Sequence, residues 1–506
     1  MMLKNFEIRY EFLTPLAGIL FAFSFAPLGW SYFAIIALAI LFLSWKNVSP
    51  AKGAFYGFLF GLGLFGFGVS WVFVSVHYYG GASILGSGLL TLFFAVFWAL
   101  FPALTGYLCI KFKVVEPSRW FFNVVIWAAI WVLVENFRGY WLLNGFPWFQ
   151  LAYSQIDSPL AGFVPLLGVY GTGFVGVVSA MLLAEALLQK QNRVILLSSL
   201  VGLWMLGGLL SSVKWTTPQA EKMTVALIQG NISQDQKWAS GNRLKTLLKY
   251  RQLTEDNWDA KVIVWPETAI PAFLSQVDDF FLKPLELEAQ LHQSDLVVSL
   301  PIEGESEHEI YNGVLTLGHE RKTYKKNHLL PFGEYLPLQP LSGWVLKLLG
   351  VHLGDFAAGG AQQELLTAGG YKFATSICYE DGFGGEVANN SRDAAYLVNV
   401  TNDAWFGNSL EPHQHFEIAR MRALETGRYL LRATNTGITA IVGPDGKVLK
   451  QAALFETAVL KGEIEVMHGT TPYVLIGDNA ILLTIIILLV AVLLAEKYYF
   501  IPRAKG

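Results

Sequence analysis

Residues 373–380 read Phe-Ala-Thr-Ser-Ile-Cys-Tyr-Glu, and this stretch decides how the less apolar half of the chain folds. A short run of β-forming side chains leads directly to Cys378, which predicts a strand that ends at a thiol. Similar β-rich runs occur at 224–229, 261–265, 295–300 and 394–400. Helix-like segments such as 411–427 lie between some of these runs, so the pattern predicts one α/β domain. A β-hairpin is predicted around the Gly-Pro-Asp-Gly turn that joins 434–442 to 447–451.

The rest of the chain is far more apolar. Hydrophobic residues make up 53% of the 506 residues, charged residues only 15%, and the mean hydropathy is +0.43. A soluble protein carries roughly 25% charged residues, so this composition indicates a membrane protein. A transmembrane helix needs about 20 apolar residues. Eight stretches approach that length, with the second and fifth the shortest: 12–28, 31–45, 53–77, 83–110, 120–135, 161–188, 194–213 and 474–495.

These stretches divide the chain into three predicted domains. A seven-span transmembrane domain occupies 1–214, the α/β domain occupies 215–473, and a C-terminal transmembrane helix with a cytoplasmic tail occupies 474–506. With the N-terminus in the cytoplasm, Lys and Arg concentrate in the inside segments, and the short outside loops carry only Arg138. Because basic residues favour the cytoplasmic side of a membrane, the α/β domain is predicted to lie outside the cytoplasm.

Charge and cysteine content narrow the possible functions. The net charge is −3, with no basic footprint, which argues against a nucleic-acid partner. The two cysteines, Cys109 and Cys378, do not make a disulfide framework. A lone thiol kept in an oxidising compartment is a candidate reactive group. Free cysteine is also a common small, buried, apolar side chain, and Cys378 on its own favours that structural role.

Three local patterns change the interpretation of Cys378. Residues 264–267 read Val-Trp-Pro-Glu and place Glu267 just past an apolar strand, at the sheet edge where α/β active sites form. Residues 324–337 hold Lys326 and the sequence Pro-Phe-Gly-Glu, and Cys378 with the Tyr-Glu that follows is the third pattern. Taken separately, Glu267 could be an ordinary strand-end carboxylate and Lys326 part of a solvated basic cluster.

In this order and at this spacing, the three patterns resemble the nitrilase, or carbon–nitrogen hydrolase, superfamily. The resemblance covers roughly 220–465 and includes Asn-Val-Thr-Asn-Asp-Ala-Trp-Phe-Gly at 399–407. It implies an α-β-β-α sandwich with a Glu-Lys-Cys triad. Because membrane spans lie on both sides, the whole chain is similar to the membrane-bound acyltransferase branch of that superfamily. The predicted fold is therefore a multi-pass α-helical membrane domain of about eight spans joined to an α/β nitrilase-like sandwich.

The resemblance implies a role for each member of the triad. Cys378 would be the nucleophile that carries an acyl group as a thioester, and Glu267 would take its proton, because a thiol is mostly protonated at neutral pH. Lys326 would stabilise the oxyanion of the tetrahedral intermediate, and the backbone amide after Cys378 could be a second donor. The resemblance implies that three further residues support catalysis: Glu334, Tyr379 and Glu380.

The sequence also offers candidates for substrate binding and for metal ligation. By resemblance, Trp238 is a candidate substrate-binding residue. Trp148 is a second candidate and lies in the aromatic stretch 140–149, which could shape a lipid entrance or form an interfacial aromatic belt. His413 and His415 have no carboxylate partner at ligand spacing and are interpreted as structural, so neither a metal nor another cofactor is predicted.

The acyltransferase branch implies a bacterial enzyme of the cell inner membrane, with the catalytic domain on the periplasmic side. It is expected to move a fatty acyl chain from a phospholipid, phosphatidylethanolamine, to the N-terminal α-amino group of a diacylglyceryl-cysteine apolipoprotein by a ping-pong mechanism. Exposing an acyl chain to water costs roughly 0.8 kcal/mol per CH₂, so the site should face the bilayer. The apolar stretch 338–353 is a candidate lid, and the protein is expected to be a monomer.

Two other functions fit some of these features. A membrane-anchored carbon–nitrogen hydrolase, such as an amidase, would use the same triad with water as the acceptor, but eight spans are far more than an anchor needs. A transporter with an external binding domain would usually carry charged residues within its spans. The predicted spans hold no row of charges, because Glu135 and Glu185 lie at or near span ends.

Overall fold

A computed structural model describes residues 9–114, 120–238, 241–306, 309–338 and 355–499. The chain divides into two compact units. The first unit comprises 1–73, 85–213 and 476–506, and the second comprises 74–84 and 214–475. The candidate lid at 338–353 lies outside the described residues, apart from Leu338.

The first unit is built of apolar helices, and helices occupy all eight stretches that the sequence predicts. Their bounds are Tyr10–Ala22 (α1), Tyr32–Ser44 (α2), Pro50–Gly68 (α3) with the short Trp71–Val74 (α4), Ile84–Lys111 (α5), Trp120–Asn136 (α6), Val164–Leu188 (α7), Arg193–Leu210 (α8) and, at the end of the chain, Pro472–Tyr499. The multi-pass helical character is confirmed.

Among the described residues, fewer than eight helices are long enough to cross a membrane. Within the described ranges, five helices pass by length and composition, and α3 with the helical segment Trp71–Tyr79 makes a sixth that is bent by 47°. Helices α1 and α2 have 13 residues each, fewer than the roughly 20 that span a bilayer. The sequence overestimates α1 because apolar residues continue into the turn that contains Pro27 and Gly29, where a helix cannot continue.

Close contact between backbones holds α1 against α3. A Cβ atom on Gly18 would lie 2.0 Å from the Phe60 carbonyl oxygen, and one on Gly63 would lie 2.0 Å from the Pro15 carbonyl oxygen. Small residues allow membrane helices to approach closely, where packing replaces the hydrophobic effect as the force between them. The glycines of this pair therefore set the distance between the two helices.

Residues 74–84 belong to the second unit, although the sequence predicts 74–77 as the end of the third span. After α4, the chain makes a π-helical turn at Ser75–Tyr79. The ring of Tyr79 contacts the ring of Trp405, with 6.1 Å between centroids and an edge-on geometry. The apolar pattern alone does not show that 74–77 belong to the second unit, because aromatic residues are equally common in a span and in a packed segment.

In the described part of the second unit, two six-stranded sheets form the centre. The first sheet has the order β12-β1-β2-β3-β4-β5 and contains Thr217–Gln229 (β1), Val262–Val264 (β2), Asp295–Glu303 (β3), Ile310–Leu317 (β4), Thr323–Lys325 (β5) and Ala458–His468 (β12). The second has the order β11-β10-β9-β8-β7-β6 and contains Leu366–Ala368 (β6), Tyr371–Ile377 (β7), Tyr396–Thr401 (β8), Leu430–Thr434 (β9), Ala440–Val442 (β10) and Val448–Gln451 (β11).

Helices cover the outer face of each sheet. They are Gln234–Lys237 (α9), Arg243–Glu255 (α10), Leu274–Val277 (α11), Lys283–Leu291 (α12), Gly384–Asn390 (α13) and Glu411–Thr426 (α14). Side chains alternate between the faces of a strand, and β2 shows the result. Val262 and Val264 pack in the core between the sheets, whereas Ile263 packs under the helices. The predicted α-β-β-α sandwich is confirmed.

The predicted hairpin is only partly correct. Strands β10 and β11 pair antiparallel around the Gly-Pro-Asp-Gly turn, with Ala440 opposite Gln451. The predicted first strand, 434–442, is two strands, because β9 ends at Thr434 and β10 begins at Ala440. A polar and glycine-containing segment separates them and reverses the chain, so β9 and β10 also pair antiparallel.

We expect Gly63→Ala to destabilise the first unit by about 1–3 kcal/mol, because the new methyl group would overlap the Pro15 carbonyl. Gly66→Ala is the matched control in the same helix, since nothing lies within 4 Å of its Cβ position. Thermal unfolding of the detergent-solubilised protein measures the difference. Equal melting temperatures for the two variants would show that α1 and α3 do not pack as described.

Candidate active site

The candidate site lies where strands of both sheets end. Strands β1, β2 and β3 run parallel in one sheet, and β7, β8 and β9 run parallel in the other. Glu267 follows β2, and Cys378 directly follows β7. The carboxyl ends of parallel strands form one edge of a sheet, where α/β proteins bind ligands. Two separate sheets thus contribute one acidic and one thiol side chain to the site.

Lys326 is a buried cation and not part of a solvated basic cluster. Its side chain is 1% exposed, and its Nζ lies 2.8 Å from each carboxylate oxygen of Glu334. Burial alone would lower the pKa of Lys326, but the carboxylates of Glu334 and then Glu267 raise it above its ordinary value. A buried lysine needs such a partner, because an unpaired charge in a protein interior is costly. Lys326 therefore stays charged in the site.

An asparagine joins the two carboxylates. The Asn312 side-chain amide donates to Glu267 Oε1 at 2.7 Å and to Glu334 Oε1 at 3.2 Å. The Asn312 backbone carbonyl accepts from the Lys326 N–H at 2.8 Å. Asn312 of β4 therefore fixes the relative positions of Glu267, Glu334 and Lys326.

The Cys378 thiol lies close enough to Glu267 and Lys326 for their charges to shift its pKa. Burial and the Glu267 carboxylate raise the pKa of Cys378 well above its ordinary value, and the charge of Lys326 offsets part of that rise. The thiol is thus protonated at neutral pH, and it would need a base in order to react as a nucleophile. The backbone of Cys378 has φ +52°, in the left-handed region that side chains other than glycine rarely adopt. Such backbone outliers cluster at active sites.

Glu380 connects the lysine segment to the cysteine strand. Its Oε1 accepts from the Tyr324 hydroxyl and from the N–H groups of Asn327 and His328, at 2.7–3.1 Å. Its Oε2 accepts from the Ile377 N–H at 2.8 Å. Burial raises the pKa of Glu380 to about 7, although the charge of Lys326 and the backbone donors oppose that rise. Tyr379 is also buried, with its ring edge against Phe383.

Known proteins and protein families match nearly the whole chain. Residues 17–182 match the apolipoprotein N-acyltransferase N-terminal domain, and 224–472 match the carbon–nitrogen hydrolase family. The apolipoprotein N-acyltransferase of Methylococcus capsulatus is 46% identical over 91% of each chain. That of Nitrosomonas europaea is 41% identical over 94% of this chain and 95% of its own.

The chain belongs to the apolipoprotein N-acyltransferase family. The predicted resemblance and the acyltransferase interpretation are therefore confirmed, and the protein is a membrane enzyme. A solved CN-hydrolase superfamily protein from Xanthomonas campestris aligns with 48% of this chain and 91% of its own, with 17% identity and a TM-score of 0.38.

A second lysine lies beside Glu267 in this acyltransferase, and the sequence patterns did not predict it. Lys237 ends α9, is 4% exposed, and its Nζ donates to the Glu267 backbone carbonyl at 3.3 Å. Burial lowers the pKa of Lys237 to about 8, and the Glu267 carboxylate opposes that fall. The next residue, Trp238, is 55% exposed, so its ring is available to a ligand. Its part in substrate binding stays a prediction.

The other predicted substrate residue, Trp148, lies in the first unit. Its ring is 4% exposed and stacks on Phe146, with 5.6 Å between centroids. Arg138 holds this stretch by donating to the carbonyls of Phe146 and Trp148 at 2.7 Å each. The aromatic stretch is thus partly folded into the unit, whereas Trp141 is 68% exposed. The role of Trp148 remains untested.

Among the residues that the structure describes, one cluster consists of side chains that could bind a metal ion. Cys378, Asp403 and His415 offer ligand atoms within 4.8 Å of one another. However, His415 already uses one ring nitrogen on Asp403 and the other on the Cys378 carbonyl. Because both nitrogens have protein partners, the cluster is arranged for hydrogen bonding. The prediction that His415 has no carboxylate partner is wrong: Asp403, from a different element, lies 2.9 Å from Nδ1, and Glu411, four residues earlier in the same helix, lies 3.5 Å from it.

We expect Asn312→Asp to lower turnover at least tenfold, because a third carboxylate replaces the donor shared by Glu267 and Glu334. Asn389→Asp makes the same chemical change on an exposed helix position and should leave turnover unchanged. Initial rates of acyl transfer, with thermal unfolding to verify the fold, measure the effect. Wild-type turnover in a folded Asn312→Asp enzyme would mean that this bridge does not organise the site.

Proposed function

We propose that this protein transfers a fatty acyl chain from a phospholipid to the N-terminal α-amino group of a diacylglyceryl-cysteine apolipoprotein. The acyl chain would travel as a thioester on Cys378. The observation that carries this proposal is the arrangement of Cys378, Glu267 and buried Lys326 at the strand ends of the two sheets, with Lys326 held by Glu334. The names of the relatives supply the reaction class.

In the first half-reaction, Glu267 accepts the proton of Cys378 as Sγ attacks the carbonyl carbon of a phospholipid ester. The negative charge that develops on the carbonyl oxygen is stabilised by Lys326, whose position is fixed before the substrate arrives. Collapse of this intermediate breaks the ester C–O bond. Glu267 returns the proton to the departing oxygen, and a lysophospholipid leaves.

In the second half-reaction, the α-amine of the apolipoprotein attacks the thioester carbonyl. Lys326 again stabilises the oxyanion, Glu267 accepts a proton from the amine, and the C–S bond breaks. The proton then returns to the Cys378 sulfur, which restores the resting thiol. One site serves both substrates in turn, which gives ping-pong kinetics.

The membrane placement belongs to the same proposal. Basic residues concentrate in alternate loops between the helices, which supports a catalytic unit on the periplasmic side of the bacterial inner membrane. A donor drawn from the bilayer keeps its acyl chain out of water, which avoids roughly 0.8 kcal/mol per CH₂. We also propose that phosphatidylethanolamine is the acyl donor and that the enzyme is a monomer.

We expect intact-protein mass spectrometry to detect one added acyl group after incubation with phosphatidylethanolamine in detergent. Addition of a diacylated lipopeptide should remove that group and produce the N-acylated peptide. Cys378→Ala should form no adduct, whereas Cys109→Ser is the matched control and should react normally, because Cys109 is buried in α5 of the other unit. An adduct on Cys378→Ala, or transfer by that variant at the wild-type rate, would refute the thioester mechanism.

A further inference from the structure

A histidine lies directly behind the nucleophile. His415 is on α14, and its ring is 1% exposed. The Nε2 atom is 3.1 Å from the carbonyl oxygen of Cys378, and Nδ1 is 2.9 Å from Asp403 Oδ1. A carbonyl oxygen can only accept a hydrogen bond, so Nε2 carries a proton.

Asp403 holds the other ring nitrogen, because its Oδ1 lies 2.9 Å from Nδ1. The imidazole ring of His415 is therefore fixed at both nitrogens, between Asp403 and the Cys378 carbonyl. Glu411, whose Oε1 is 3.5 Å from Nδ1, is the other acidic group beside the ring.

Asp403 is held in turn by Arg432 of β9. Arg432 is fully buried, and its Nη2 donates to Asp403 Oδ2 at 3.2 Å. Its Nη1 donates to Asn399 Oδ1 at 2.7 Å and lies 3.4 Å from Asp381 Oδ2. Arg432 of β9 thus fixes Asp403, and Asp403 fixes the His415 ring on the side away from Cys378.

The contact with the Cys378 carbonyl acts on a strained residue. A residue at φ +52° persists only where its surroundings hold it, at a cost of about 1–3 kcal/mol. The peptide that joins Cys378 to Tyr379 is planar, so its C=O and its N–H point in opposite directions. A donor that fixes the carbonyl therefore fixes the direction of the Tyr379 N–H, and it polarises the peptide so that this N–H becomes a better donor.

We propose that His415 is a positioning residue for acyl transfer, which holds the Cys378 carbonyl and thereby aims the Tyr379 N–H at the oxyanion. This assignment rests on the proposed function, because it concerns the tetrahedral intermediates of that reaction. His415 contacts the backbone of Cys378, the proposed nucleophile, and acts through it. Its effect should therefore appear in kcat and not in the KM for the phospholipid.

Three variants of the full-length enzyme in detergent test this proposal. His415→Leu removes the donor, His415→Gln keeps an N–H donor on a different side chain, and His413→Leu changes the half-buried histidine two residues earlier in the same helix. Each variant is assayed with phosphatidylethanolamine for acyl-enzyme formation, and with iodoacetamide for alkylation of Cys378. Alkylation forms no oxyanion, so general damage to the site would slow both reactions equally.

We expect His415→Leu to lower the kcat of acyl transfer by about 10²-fold, the usual effect of losing an oxyanion donor, with an unchanged KM. Alkylation should slow less than threefold, His415→Gln should recover about tenfold of the lost rate, and His413→Leu should match the wild type. The assignment is overturned if His415→Leu keeps wild-type kcat, or if acyl transfer and alkylation fall by the same factor. If the wild type itself forms no acyl adduct, the proposed function fails instead.

Discussion

The pairing of buried Lys326 with Glu334 is the interaction on which the rest of the site depends. A fully buried ammonium would lose its charge or destabilise the fold without carboxylate partners. Glu334 provides both oxygens, and the Leu330 N–H holds that carboxylate in turn at 2.8 Å. In the proposed mechanism, the positive charge is therefore in position before any negative charge develops on a substrate, so Lys326 need not move during the reaction.

The sandwich explains why an acid and a thiol from distant parts of the chain can meet. Val264 precedes the Glu267 loop in one sheet and Ile377 precedes Cys378 in the other, and both pack in the same apolar core between the sheets. Asn312 then ties the acid to the lysine, and Glu380 ties the lysine segment to the cysteine strand. The fold thus fixes Glu267, Lys326 and Cys378 through strand ends and buried polar contacts.

The strands that carry Glu267 and Cys378 were predictable because each is a short apolar run that ends in a polar side chain. The contacts of Asn312 and His415 were not predictable. Asn312 contacts Glu267, which is 45 residues away in the sequence, and His415 contacts the Cys378 carbonyl, which is 37 residues away. No local spacing encodes such contacts, and they form only when the strands align. Span ends were misjudged for a related reason, because apolar composition continues through turns such as that after α1.

The most direct test of the central claim is the pH dependence of Cys378 alkylation by iodoacetamide in a Cys109→Ser background. Burial and Glu267 raise the pKa of the thiol and Lys326 lowers it, so alkylation should be slow at neutral pH and still rising at pH 9. In Lys326→Met that remains folded by thermal unfolding, the rise should move to higher pH. A rate that is already maximal at pH 7, or a profile that Lys326→Met leaves unchanged, would contradict the account.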